Sequence, residues 1–326
     1  MKKIINNAAD VEEEMIEGFI AANRQVRRLD DSNIILKRNF NSDKVSILSG
    51  GGSGHEPAHL GYIGFGMLDC VVCGPIFTSP TPADFLKAIE AVHTDKGVLC
   101  IIKNYSGDLM SSEMAIEKAR TKGIKVERVV VDDDVATIDS EIGRRGVAGT
   151  VLVHKIAGAA AEAGLNLPTV KSFTLRTIEN VRSMGMAITP CTIPASGLAS
   201  FELNEHEMEL GIGIHGEPGI SREKFTSVND VAGRMLKQIL NDLDCTNREV
   251  VVMVNGMGAT PLMELFIVNN FVQKYLCENE VEVYDTMVGN FMTSIEMSGF
   301  SLTLLRLDDE LKTFYSAAAD TFTLKK

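Results

Sequence analysis

Positive charge is in short supply in this sequence: 32 lysines and arginines stand against 44 aspartates and glutamates, a formal net charge of −12. That balance opposes non-specific attachment to a phosphate backbone, so direct binding to nucleic acid is not expected. Long apolar runs are missing too. The start, Met1-Lys2-Lys3-Ile4-Ile5-Asn6-Asn7, lacks the apolar segment of a signal peptide, and no later run reaches membrane-spanning length. A cytoplasmic location is expected. The nucleotide P-loop pattern G-x-x-x-x-G-K-[ST] occurs nowhere. A second C-x-x-C pair is absent as well: the six cysteines, at 70, 73, 100, 191, 245 and 277, are scattered, as suits reduced and packed thiols. Cys70-Val71-Val72-Cys73 has no second pair and sits in a strand-like run, where positions three apart face opposite ways, so core packing is expected of it.

What is present is ordinary globular material, 45% hydrophobic and 23% charged, in a chain of 326 residues, long enough for two domains with substantial cores. Residues 10–22 carry Val11, Met15, Ile16, Phe19 and Ile20 at helical spacing behind an acidic first turn. Strands are predicted at 33–37, 44–48, 67–73, 97–102 and 125–131, with a helix capped by Ser79-Pro80-Thr81-Pro82. Helices follow over 150–163 and 168–184, and the acidic run Asp132-Asp133-Asp134 between strand and helix reads as a solvated turn. Beyond them, strands are predicted at 187–193, 207–214, 249–254 and 301–307, and helices at 228–241 and 261–278. Such alternation implies an α/β fold of two domains: residues 1–184 with a largely parallel sheet, and a smaller α/β domain over 185–326.

The densest motif is Gly50-Gly51-Gly52-Ser53-Gly54-His55-Glu56-Pro57-Ala58-His59, predicted as the loop leaving a strand end, where open α/β sheets bind ligands. A near-echo, Gly213-Ile214-His215-Gly216-Glu217-Pro218-Gly219, again sets a histidine beside glycine, glutamate and proline. The strand at 97–102 ends in the polar cluster Lys103-Asn104-Tyr105-Ser106-Gly107-Asp108, placed to border the same crevice. Asp108 also reads as a cap for a helix beginning near Ser111. Gly143-Arg144-Arg145-Gly146 suits phosphate, a partner's carboxylates or a structural pair, and Asn255-Gly256-Met257-Gly258-Ala259-Thr260 is a glycine turn without the lysine of a P-loop.

Three chemistries compete for the histidines. His55-Glu56-Pro57-Ala58-His59 matches the H-E-x-x-H of zinc hydrolases, but Pro57 bars both histidines from one helix face, and no metal site is assigned. Alternatively a neutral imidazole adds to a substrate carbonyl while a second histidine or a carboxylate handles a hydroxyl proton; His215, His55 and Asp108 supply that set. A binding protein using the same capture as a sensor would look much the same.

The glycine–histidine motifs, Phe77-Thr78-Ser79-Pro80, Ile102-Lys103-Asn104-Tyr105-Ser106-Gly107-Asp108, Gly143-Arg144-Arg145-Gly146 and Gly299-Phe300-Ser301-Leu302-Thr303-Leu304-Leu305 resemble the dihydroxyacetone kinase family, in particular its substrate-binding K subunit. The resemblance implies that His215 holds dihydroxyacetone covalently as a hemiaminal, that His55 accepts a proton, and that Gly52, Ser53, Gly54, Lys103 and Asp108 surround the substrate. It further implies a homodimer and no cofactor in this chain. Family members that use ATP directly fuse a nucleotide-binding domain, so the phosphate is expected from another chain: an L subunit holding ADP and Mg, recharged by an M subunit of the phosphotransferase system from phosphoenolpyruvate. Departures from the kinase pattern fall at Pro75, Ser106, Ser111-Ser112 and Gly197-Leu198-Ala199-Ser200. A K-subunit paralogue of this family senses dihydroxyacetone and acts as coactivator of the kinase operon through a TetR-like DNA-binding regulator, and that is the alternative reading.

Overall fold

The computed structural model describes residues 2–137 and 143–326. After helix α1 (Val11–Ala22), strands β1 (Val26–Arg28), β2 (Ile34–Lys37), β3 (Ser46–Ser53), β4 (Cys70–Ile76), β5 (Val98–Lys103) and β6 (Val126–Val131) form one sheet in the order β1-β2-β4-β3-β5-β6. The pairings β4/β3, β3/β5 and β5/β6 are parallel, and the two at the β1 edge are antiparallel. Cys70 and Cys73 do pack on opposite faces of β4, one in each of the flanking cores. Helices α2 (Pro82–Val92) and α3 (Ser106–Thr121) cover the outer face. Thr81 caps α2 in a capping box with Asp84, the local reason the helix starts there.

Helices α4 (Thr150–Glu162) and α5 (Leu167–Glu179) lead to the second sheet, built from β7 (Val181–Thr189), β8 (Glu207–Leu210), β9 (Ser221–Lys224), β10 (Glu249–Gly256), β11 (Glu282–Gly289) and β12 (Ser298–Arg306) in the order β11-β10-β12-β7-β8-β9. Only β10/β11 is parallel. Helices α6 (Val228–Asp242) and α7 (Leu262–Glu278) cover its outer face, and α8 (Asp309–Ser316) packs on the inner one. Every residue of α4 from Thr150 to Ala161 is buried, because the helix lies between the two sheets and is apolar or small apart from His154 and Lys155, whose ammonium donates to the Phe314 carbonyl at 2.7 Å. A side chain at Gly158 would strike the Met67 backbone at 2.3 Å, so only glycine lets α4 seat this closely. One core therefore joins both sheets, giving five layers.

Several elements differ from expectation. The predicted helix over 168–184 stops at Glu179, since the apolar run that follows it enters the second sheet as β7; the position 184/185 thus falls within a strand. Gly50 to Ser53 are not a loop: they continue β3 and pair with β4 up to Ser53↔Ile76. The acidic run is not solvated. Asp133 and Asp134 are buried, Asp133 accepting from the backbone N–H groups of Val147 and Gly149, and Asp134 pairing with Arg145. Among the described residues no helix is long and apolar enough to cross a membrane.

Candidate active site

The site lies where the first sheet reverses its winding. From β3 the chain moves to β4 on one side, then returns through α2 to β5 on the other, so the strand ends of β3 and β5 flank a topological switch point. β5 stops pairing with β3 at Ser49↔Ile101, whereas β4 follows it to Ser53, which leaves the Gly50–Ser53 edge open toward the end of β5. Lys103 ends β5, and Asp108 stands in the first turn of α3, which begins at Ser106 and not near Ser111. A Cβ built on Gly51 would sit 3.4 Å from Lys103 Nζ and 3.5 Å from Asp108 Oδ2, so this glycine keeps the space beside both groups clear.

His55 follows β3 and is fully buried. Its Nδ1 lies 2.8 Å from the Thr293 carbonyl, which can only accept, so Nδ1 carries the hydrogen and Nε2 presents a lone pair. His215 comes from the turn after β8, five residues beyond the strand and not at its end. Its Nδ1 lies 2.7 Å from Glu217 Oε1, which fixes the same tautomer, and Glu217 Oε2 accepts from the His215 backbone N–H at 3.0 Å. The two Nε2 atoms meet at 3.1 Å. With both Nδ1 atoms committed as donors, a hydrogen bond here uses one shared proton; without it, two lone pairs confront each other across the site.

Aromatic rings wall this pair. Phe77 stacks on His55 at 5.2 Å, while Phe77 and Tyr105 meet the His215 ring edge-on at 5.1 and 4.8 Å. Burial, with the nearby Lys103 and His215, holds His55 well below its ordinary value and hence neutral. Burial also lowers Lys103, opposed chiefly by Asp108, and raises Asp108, opposed by Lys103 and a hydrogen bond from Ser79. Glu217 behaves the other way: burial would raise it, but hydrogen bonding and charge interaction with His215 prevail and hold it at about 2.

The site residues expected from sequence thus separate into two groups. His55, His215, Lys103, Asp108 and the open edge at Gly51 come together. Ser53 turns its hydroxyl to the Gly74 carbonyl at 2.7 Å, the Gly54 N–H faces the Glu56 carboxylate at 3.1 Å, and Gly52 packs against the 77–78 turn, where a Cβ would lie 2.6 Å from Thr78 N. These three shape the wall. His59, the second histidine of the H-E-x-x-H match, packs against His154 at 5.2 Å. Glu217, which with Thr293 sets the two tautomers, and Phe77 and Tyr105, which wall the imidazoles, stood inside the sequence motifs without an assigned role, and Thr293 lay outside them. Glu217 had a signal, standing two residues after a glycine-flanked histidine; Thr293 acts through its carbonyl, which no side-chain pattern announces.

Residues 17–323 match the Dak1 domain. The chain belongs to the Dak1 family. It is 49% identical over 318 residues, 95% of both chains, to the dihydroxyacetone-binding subunit DhaK of PTS-dependent dihydroxyacetone kinase 1 from Listeria innocua. Among solved structures it resembles the dihydroxyacetone kinase operon co-activator Dha-DhaQ, with a TM-score of 0.91 at 38% identity over 95% of this chain and 97% of that one. It also resembles the dihydroxyacetone kinase of C. freundii in complex with AMP-PNP and Mg2+, with a TM-score of 0.94 at 36% identity, over 99% of this chain and 61% of that one. Within the family the two-sheet α/β architecture is shared.

Proposed function

We propose that this chain is the dihydroxyacetone-binding subunit of a phosphoenolpyruvate-dependent, phosphotransferase-system dihydroxyacetone kinase, and that it captures its substrate on His215. The observation that carries this reading is the pair of tautomer-fixed imidazoles meeting at 3.1 Å beside Lys103 and Asp108. The 49% identity to a DhaK subunit supports the substrate. Nε2 of His215 forms a bond to the carbonyl carbon, the carbonyl π pair moves to oxygen, and that oxygen takes up one proton from solvent, relayed through the otherwise bare Nε2 of His55. Glu217 holds the positive charge left on the ring, completing a hemiaminal. Glycerol has no carbonyl to capture and is rejected on that ground.

The captured triose presents a terminal hydroxyl as the acceptor. Asp108, raised by burial, and neutral His55 are the groups able to take its proton as oxygen attacks phosphorus. The phosphoryl group comes from a partner L subunit carrying ADP and Mg, recharged by an M subunit; no cofactor is assigned to this chain, which acts as a homodimer. Purified chain mixed with L and M subunits and phosphoenolpyruvate forms dihydroxyacetone phosphate, at a rate lost in His55→Ala and Asp108→Ala. A second reading is favoured by the likeness to an operon co-activator: the same capture without turnover, signalling to a DNA-binding regulator. Adduct formation with no product in that mixture would select it.

A further inference from the structure

The capture chemistry leaves unused the arginine pair at 144–145 and the acidic run at 132–134, yet Arg145, held by Asp134, reaches the loop that carries His215. We propose that Arg145 is a positioning residue for His215, mooring the 211–218 turn to the first half of the chain and holding Glu217 where it fixes the imidazole. Arg145 is on the connection from β6 to α4 and is 9% exposed. Its Nε and Nη2 both donate to Asp134 Oδ2, at 2.8 and 2.7 Å. Asp134 is itself aimed by the Ala136 N–H, which donates to Oδ1 at 2.9 Å.

From that anchor the guanidinium crosses to the other half. Nη2 donates to the Gly211 carbonyl at 2.6 Å, and Nη1 approaches the carbonyls of Glu217 and Pro218 at 3.5 and 3.4 Å. One planar group thus grips both ends of the turn, which a lysine's point charge cannot reproduce. The grip extends to the carboxylate that faces His215. A Cβ on Gly213 would lie 2.0 Å from Glu217 Oε2 and 2.7 Å from Arg145 Nη1, so carboxylate and guanidinium pack together in the space that glycine leaves. Moving Arg145 leaves the turn held by its own hydrogen bonds, Gly213 N–H to the Glu217 carbonyl at 3.1 Å and His215 N–H to the carboxylate at 3.0 Å, and so loosens the one carboxylate that holds His215 Nδ1 as a donor among the described residues. Arg144 serves elsewhere, pairing with Asp242 beside Arg182.

The inference rests on the proposed capture at His215 for one of its two readouts only. In the unliganded protein, nitrogen-15 spectra of the six histidines report the His215 tautomer directly. Wild-type protein is expected to show Nδ1 protonated and Nε2 bare. Arg145→Lys, which keeps the charge but loses the fork, is expected to mix the tautomers and weaken the dihydroxyacetone adduct about tenfold, the lower end of what losing an outer partner costs at metal-binding histidines. Asp134→Asn, which leaves Arg145 in place without the charge that aims it, is the second variant and is expected to act in the same direction. Folded variants with wild-type His215 nitrogen signals overturn the proposal, even if their melting temperatures fall, because the role would then be structural only. A wild-type protein that forms no adduct refutes the capture reading, while the nitrogen signals still decide the role of Arg145.

Discussion

At His215 the chemistry depends on which ring nitrogen is bare, and a single carboxylate decides it. Glu217 is held at about 2 against an ordinary 4.5. A carboxylate depressed on folding contributes fully above its unfolded value and loses its effect as pH falls through the folded one. The His215 brace is therefore expected to be intact above about pH 4.5 and to fail progressively toward pH 2, a window that adduct affinity measured against pH would reveal. Glu217→Gln, which retains the shape but not the charge, is expected to weaken the adduct at neutral pH by about tenfold. Two neighbouring glycines separate function from folding. Gly51→Ala places its methyl at ordinary contact distance from Lys103 and Asp108, so it should fold normally and lose turnover. Gly52→Ala drives a methyl to 2.6 Å from the Thr78 backbone, so it should lower stability by about 1–3 kcal/mol in denaturant titration.

At the scale of elements, the site is a meeting of strand ends and one bracket. Asn255, near the end of β10 and 1% exposed, accepts from the backbone N–H groups of Phe291 and Met292 at 2.8 and 3.0 Å and donates to the Met292 carbonyl at 2.8 Å. The segment it shapes supplies the Thr293 carbonyl that faces His55 and donates the Thr293 N–H back to the His55 carbonyl at 3.1 Å. The glycine turn after Asn255 is therefore structural: a Cβ on Gly258 would lie 2.0 Å from the Ile295 carbonyl oxygen. Asn255→Ala strands one buried and one partly buried N–H group, so a stability loss of about 1–3 kcal/mol is expected, together with loss of turnover from a misplaced His55. Sequence periodicity found most of these elements because their apolar faces are regular. It could not find β11 and α8, which are more polar and more exposed, and it took the glycines of β3 for a loop because strand pairing, not side chains, holds them extended.

Across the whole molecule, the two sheets meet on a shared helical layer and each supplies one imidazole. The sequence carried the histidines, Lys103 and Asp108 through their motifs, and strand alternation gave the α/β class. The antiparallel character of the second sheet and the burial of Asp133 and Asp134 were not legible, since both follow from contacts between distant segments. Because the captured substrate would tie the loop after β8 to the site between β3 and β5, dihydroxyacetone is expected to raise the melting temperature of wild-type protein and not of His215→Ala.

The most direct test of covalent capture is the carbon-13 spectrum of dihydroxyacetone labelled at its carbonyl carbon, recorded with stoichiometric protein. The signal is expected to leave the ketone region for that of a tetrahedral carbon bearing oxygen and nitrogen, and to remain a ketone with His215→Ala. A ketone signal unchanged by folded wild-type protein, or a tetrahedral signal that survives His215→Ala, would contradict the account.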